Sequence, residues 1–196
     1  MTRFTGFNHV ALATGDMDGT IRFWRDLVGL RLVAGLGRPG ARQYFFELAP
    51  GSLLGFFEWP GVEPIAEKDH GYPTAGPFAF DHLALGVGGP EDLWELKDRL
   101  EAAGFWVSEP MDHGFIHSIY AFDPNGVAIE FAHQAGPWDP HQQPRMVDRQ
   151  PGPVASEGAS PQAGHWPAVQ APTPPGQRRV YPGEGRDLLE KTPWRG

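Results

Sequence analysis

Three residues in this chain have the types and spacing of metal ligands: His9, His82 and Glu130. Two neutral imidazoles and a carboxylate form a standard donor set for Fe(II), Mn(II), Zn or Ni. A lone histidine on a strand is usually a hydrogen-bonded structural residue. What lifts His9 and His82 above that reading is repetition. Phe7-Asn-His-Val-Ala-Leu12 and Phe80-Asp-His-Leu-Ala-Leu85 are near copies, offset by 73 residues. A histidine falls at the same place in both.

Elements must carry these side chains. Each copy opens with a short alternating stretch that predicts a strand, then a polar turn, then a helix. The first helix has Asp16 or Asp18 as N-cap, an apolar stripe of Ile21, Trp24, Leu27 and Val28, and Gly29 as its stop. The second has Pro90 near its first position, acids at 91 and 92, the stripe Leu93, Leu96, Leu100 and Ala103, and Gly104 as its stop. Three strand-like stretches follow each helix, near 30–36, 42–49 and 52–59, and near 105–108, 115–122 and 127–132. The expected fold is therefore α+β, with two βαβββ units over about 5–60 and 78–133. Pairing two such sheets creates a cleft with approximate two-fold symmetry.

Side chains alternate between the faces of a strand. His9 then shares a face with Phe7, Ala11 and Ala13, His82 with Phe80, Ala84 and Gly86, and Glu130 with Ala128 and Ala132. Small neighbours beside all three leave room for a bound molecule. Two histidines and one carboxylate, with other positions open, match the arrangement of non-haem iron oxygenases. Fe(II) is thus the favoured metal, with Mn, Ni or Zn as alternatives.

Further residues bear on the chemistry. Glu58 follows His9 by 49 residues, as Glu130 follows His82 by 48. Two readings of Glu58 stand: a fourth ligand symmetric with Glu130, or an edge-strand acid beside Trp59 and Pro60. Asp123-Pro-Asn-Gly126 is a strong turn signal. A left-handed Gly126 forming a bulge would pair 123 with 127, 122 with 128 and 120 with 130. Tyr120 would then stand beside Glu130, where a phenol can hydrogen-bond a substrate oxygen. His70 lies in a loop before the second histidine strand, as an acid/base candidate. His113 precedes Gly114 at a loop beside the cleft, and His117 should face away. No nucleophile elbow, phosphate loop or dinucleotide fingerprint appears.

Composition sets the outer limits. Residues 1–132 hold 9 Lys/Arg against 18 Asp/Glu, and 133–196 hold 7 against 6. A globular part this acidic argues against nucleic acid and anionic membrane surfaces as partners. No apolar run approaches the roughly 18 residues of a membrane span. The N-terminus lacks the layout of a signal peptide. Cysteine is absent, so thiolate chemistry is excluded. A cytoplasmic location is the default expectation.

The last 64 residues hold 12 of the 21 prolines and little apolar periodicity. The boundary falls at 133, with 134–196 as an extended Pro-rich tail. Trp138, Trp166, Val180, Tyr181 and Trp194 are expected to anchor it on the domain or on a partner subunit.

These residues resemble the vicinal oxygen chelate superfamily, which includes glyoxalases, bleomycin-resistance proteins and extradiol dioxygenases. The carriers are the two histidine hexapeptides and His117-Ser-Ile-Tyr-Ala-Phe-Asp-Pro-Asn-Gly-Val-Ala-Ile-Glu-Phe131. The resemblance covers about residues 5–133. It implies paired βαβββ units, a metal in the cleft and a small-molecule substrate bound through vicinal oxygens. The Ile-Tyr-x-Phe-Asp-Pro-x-Gly run ending in Glu is similar to extradiol, catechol-cleaving dioxygenases, with His9, His82 and Glu130 as Fe(II) ligands, Tyr120 touching substrate and His70 as acid/base. That reading is favoured. A glyoxalase-type lyase with a four-ligand site, completed by Glu58 and shared between the subunits of a homodimer, is the alternative. A non-catalytic resistance-type binder is the third.

Overall fold

The structure is a computed structural model describing residues 5–76, 80–139, 142–145 and 147–192. The chain divides into two compact units, Met1–Ala135 with Gly185–Gly196, and Gly136–Glu184.

The first unit contains both repeats. Strand β1 (His9–Thr14) leads into α1 (Met17–Ile21). Asp16 caps α1, its Oδ1 accepting from Gly19 N at 2.9 Å. The helix widens into a π-helical turn over Arg22–Leu27, which turns Phe23 and Trp24 into the core. It stops at Gly29, whose φ of 96° a side chain would oppose. Strands β2 (Arg31–Arg38), β3 (Ala41–Ala49) and β4 (Ser52–Glu58) complete the copy. The sheet order is β1-β4-β3-β2, with β1 parallel to β4.

The second copy repeats the plan. It comprises β5 (Leu83–Gly86), α2 (Pro90–Ala102), β6 (Met111–Asp112), β7 (Ile116–Phe122) and β8 (Ala128–Gln134), in the order β5-β8-β7-β6. Here one expectation is corrected. The strand expected at 105–108 is only a single bridge from Val107 to Ala121, and the paired strand lies at 111–112. Pro110 lacks the N–H a ladder needs, and Tyr120 N donates to the Ser108 hydroxyl instead of to a strand carbonyl.

One face of each sheet is covered by helix and forms the core. Trp24, Phe46, Leu54, Phe56, Leu100, Ile119 and Ile129 are fully buried. The repeats are fastened together at α1 and the π-helical turn that follows it. Trp24 Nε1 donates to Asp123 Oδ2 at 3.2 Å, and Asn125 Nδ2 donates to Thr20 Oγ1 at 3.2 Å. Arg99 of α2 reaches the carbonyls of Leu27 and Val28, groups left free at the end of the first helix.

Within the second unit Trp138 donates its indole N–H to the Gln143 carbonyl, and Arg145 lies 5.5 Å over its ring. Trp166, Val180 and Tyr181 are exposed. Trp194 lies outside the described residues. Beyond the second unit, α3 (Asp187–Glu190) packs near β2. Among the described residues no helix is long and apolar enough to cross a membrane.

Candidate metal centre

The second sheet brings three of the expected residues together. Gly126 has φ 76° and closes a three-residue loop, with Asp123 N bonded to Val127 O. That bulge sets the register, pairing Tyr120 with Glu130 and Phe122 with Ala128. Parallel pairing of Ala84 with Glu130 brings the latter alongside β5. His82 lies just before that strand, and its Nε2 is 2.8 Å from Glu130 Oε2. Glu130 is buried, and its Oε1 accepts from Ser118 Oγ at 2.5 Å and from Tyr120 OH at 3.4 Å. His113 Nε2 lies 2.9 Å from the same phenol oxygen. Burial first, and then the Glu130 charge, push the Tyr120 phenol above its ordinary value. It therefore stays a donor at neutral pH.

His70 also reaches the site. Its ring centroid is 4.6 Å from that of Tyr120 and 5.8 Å from that of His82. Its buried Nε2 makes no hydrogen bond among the described residues. Burial, followed by repulsion from His82, lowers its pKa from 6.5. A neutral imidazole with a free nitrogen can accept a proton. His117 lies on the opposite face, beside His133.

His9 stands on the first sheet, exposed, with its ring edge-on to Phe45. Among the described residues, no three His, Cys, Asp or Glu side chains lie close enough to share an ion. His82 and Glu130 are thus brought together, and His9 is apart from them.

Glu58 requires a correction. Register pairs His9 with Leu53, Ala11 with Gly55 and Thr14 with Glu58. Glu58 is therefore on the face opposite His9, five pairs further along the ladder. Its carboxylate accepts from Gly40 N at 3.1 Å and pairs with Arg42 at 3.4 Å. The residue symmetric with Glu130 is Gly55. A Cβ there would stand 2.9 Å from the Phe45 ring.

Sequence reasoning missed the residues behind the histidines. His9 Nδ1 bonds Asn8 Oδ1 at 2.8 Å, and His82 Nδ1 bonds Asp81 Oδ1 at 2.7 Å. In each case an acceptor at Nδ1 favours the tautomer whose Nε2 can bind a cation, the arrangement used by metal-ligating histidines; in His82 that Nε2 faces Glu130 Oε2. The signal was visible: an oxygen-bearing side chain precedes the histidine in both hexapeptides. Ser118 was missed too, because only the register places it under Glu130.

Comparison with known proteins bears on the same residues. The family model of the Glyoxalase/Bleomycin resistance protein/Dioxygenase superfamily matches residues 6–131. A lactoylglutathione lyase of Haemophilus influenzae is 28% identical over 134 residues, 63% of this chain and 88% of its own. Glutathione transferase FosA of Serratia marcescens is 31% identical over 128 residues, 63% of this chain and 77% of its own. A solved glyoxylase/bleomycin resistance protein/dioxygenase domain from Frankia superposes with a TM-score of 0.58 at 20% identity, covering 68% of this chain and 100% of that one. At that identity the likeness speaks for the fold.

Proposed function

Because the chain belongs to the glyoxalase/bleomycin resistance protein/dioxygenase superfamily, we propose that it is a metal-dependent enzyme acting on a small molecule with vicinal oxygens, and that the reaction is extradiol cleavage of a catechol-type ring. One observation carries the choice of reaction. Gly55, backed by Phe45, stands where a fourth ligand would symmetrically face Glu130. That leaves His9, His82 and Glu130, a three-ligand set with open positions for a chelating substrate and dioxygen.

His82 and Glu130 would hold the ion from one chain. His9 would come from the partner in a homodimer, since it stands apart and exposed on the other sheet. Fe(II) is the favoured ion, with Mn, Ni or Zn as alternatives. When bound, a divalent ion supplies Lewis-acid charge to two adjacent substrate oxygens. The chain's own groups do the rest. Tyr120 donates its O–H to a substrate oxygen. The His70 imidazole takes the proton of a ring hydroxyl. On the first sheet, Phe45 beside His9 and Phe57 stacked on Trp59 (centroids 5.3 Å, planes 15° apart) offer flat apolar faces to an aromatic ring. Cleavage of a catechol by dioxygen places both oxygen atoms in one ring-opened product and needs no further reductant.

The lyase reading is supported by a specific observation, the identity to a lactoylglutathione lyase over 88% of that protein's length. One experiment separates the two. Protein loaded anaerobically with Fe(II) is given a catechol and air, and oxygen uptake is followed. In parallel, the Ni and Zn forms are given a hemithioacetal. Turnover of the hemithioacetal, with no oxygen uptake in the Fe(II) form, rejects the dioxygenase. Tight substrate binding without turnover in either arm would favour a resistance-type binder.

A further inference from the structure

The carboxylate behind His82 does more than hold one proton. Asp81 Oδ1 receives both His82 Nδ1 at 2.7 Å and Gly71 N at 2.9 Å, while Oδ2 receives Lys68 Nζ at 2.6 Å. Lys68 and Gly71 flank His70, whose ring lies against Tyr120. In the first repeat the matching residue, Asn8, has one carbonyl oxygen and gives it to His9. A single amide oxygen, whose partner atom is a donor, cannot take three donors of this kind; a carboxylate has about four lone-pair sites and can. The Asn-to-Asp difference between the two hexapeptides, which differ otherwise only in Val10 against Leu83, is thereby explained.

We propose that Asp81 is a positioning residue that couples the His70 loop to the ligand histidine His82, so that metal binding and ordering of this loop reinforce one another. The proposal rests on His82 being a metal ligand. Physically, the same oxygen that fixes the His82 tautomer also takes the backbone N–H of Gly71. An ion on Nε2 polarises the imidazole and strengthens its Nδ1–H donation to Asp81. A better-held carboxylate in turn holds Lys68 and Gly71, and with them the proton-accepting ring. The three donors keep the Asp81 carboxyl well below the usual carboxylate range, Lys68 foremost. The anion is thus present throughout the neutral range. Groups behind metal ligands are worth about 10- to 100-fold in metal affinity when removed.

Co(II) serves as the probe, since its absorption reports ligation without any turnover. The full-length chain and its variants are titrated with Co(II), and amide hydrogen exchange of the 61–76 segment is compared with and without the ion. In the parent, Co(II) slows exchange around 68–72. Asp81→Asn is expected to bind Co(II) about 10- to 100-fold more weakly and to lose that slowing. Lys68→Met leaves the His82–Asp81 bond in place, so it should retain most of the affinity yet lose much of the slowing. Lys68→Met also tests the coupling should Asp81→Asn fail to fold. Parent-like affinity and loop protection in Asp81→Asn overturns the proposal, as does full loop protection in Lys68→Met. A parent that binds no Co(II) overturns the metal reading and this proposal together. A parent that binds it, with no slowing of the loop, overturns this proposal alone.

Discussion

Ala11 lies opposite Gly55 in the parallel pair of β1 and β4, at the place where the second repeat sets Ala84 opposite Glu130. The two repeats share the histidines and their hydrogen-bond acceptors, but only the second has a carboxylate at this place. Phe45 closes over the glycine and packs edge-on to His9 at 5.8 Å. One half of the repeat thus holds a contacting His–Glu pair, and the other a histidine on an aromatic wall.

Adding a side chain at Gly55 tests that asymmetry. Its Cβ would meet two Phe45 ring atoms at 2.9 and 3.1 Å. Gly55→Glu alone should be destabilised by about 1–3 kcal/mol, the usual cost of overpacking, read from urea unfolding. Gly55→Glu with Phe45→Ala relieves the clash and puts a carboxylate on the His9 face. That double variant should change the Co(II) absorption spectrum toward a higher oxygen-ligand count. An unchanged spectrum would mean that the His9 face does not border the ion.

Glu58 and Glu130 should behave as opposites. Glu130→Gln and His82→Ala are expected to weaken Co(II) binding at least about 100-fold, more than loss of a group behind a ligand. Glu58→Gln should leave the affinity unchanged. It should instead loosen the β2–β3 turn, costing about 0.5–1.5 kcal/mol for its bond to Gly40 N and pair with Arg42. Calorimetric titration and urea unfolding of the same samples distinguish the two roles.

These contrasts show what was legible in the sequence. The histidine repeat, the Asp16 cap of the first helix and the glycine stops of both helices could be read directly, and the Tyr120–Glu130 pairing followed once Gly126 formed a bulge. Each depends on local chemistry: a hexapeptide, an Asp cap, a left-handed glycine. Glu58 could not be placed that way, because counting residues from His9 assumes equal loops in both copies. The copies differ, as the break at Ser108 to Pro110 makes plain, and a slip of odd length moves a side chain to the other face. His9's separation from the His82–Glu130 pair is a property of how two sheets are set within the unit, on which strand alternation is silent.

Tyr120 should matter to turnover and not to metal binding. Its hydroxyl is held between Glu130 Oε1 and His113 Nε2. Tyr120→Phe keeps the ring against His70 and removes only the donor. Loss of one donor aimed at a substrate oxygen costs about 10²-fold in kcat, while Co(II) affinity should be retained. Parent-like oxygen uptake by Tyr120→Phe would remove the phenol from the chemistry. His113→Ala is the companion variant, expected to fall between Tyr120→Phe and parent.

The joint between the repeats has its own pH signature. Asp123 accepts from Trp24 Nε1, Asn125 N, Asn125 Nδ2 and Val127 N, and is nearly fully buried. Burial raises its carboxyl pKa above the ordinary value, although these donors pull the other way. A carboxyl raised on folding binds its proton more tightly in the folded state. Its stabilising contribution is then full below the unfolded value of about 3.9, and is lost as pH rises through the higher folded value. In Asp123→Asn the amide does not titrate, and its single acceptor oxygen cannot serve four donors. The variant should therefore be less stable throughout, with a deficit relative to parent that narrows as pH climbs above about 4. Urea unfolding of both proteins at a series of pH values gives the difference directly. A deficit that widens with pH would show that the four donors outweigh burial and that the joint prefers the carboxylate.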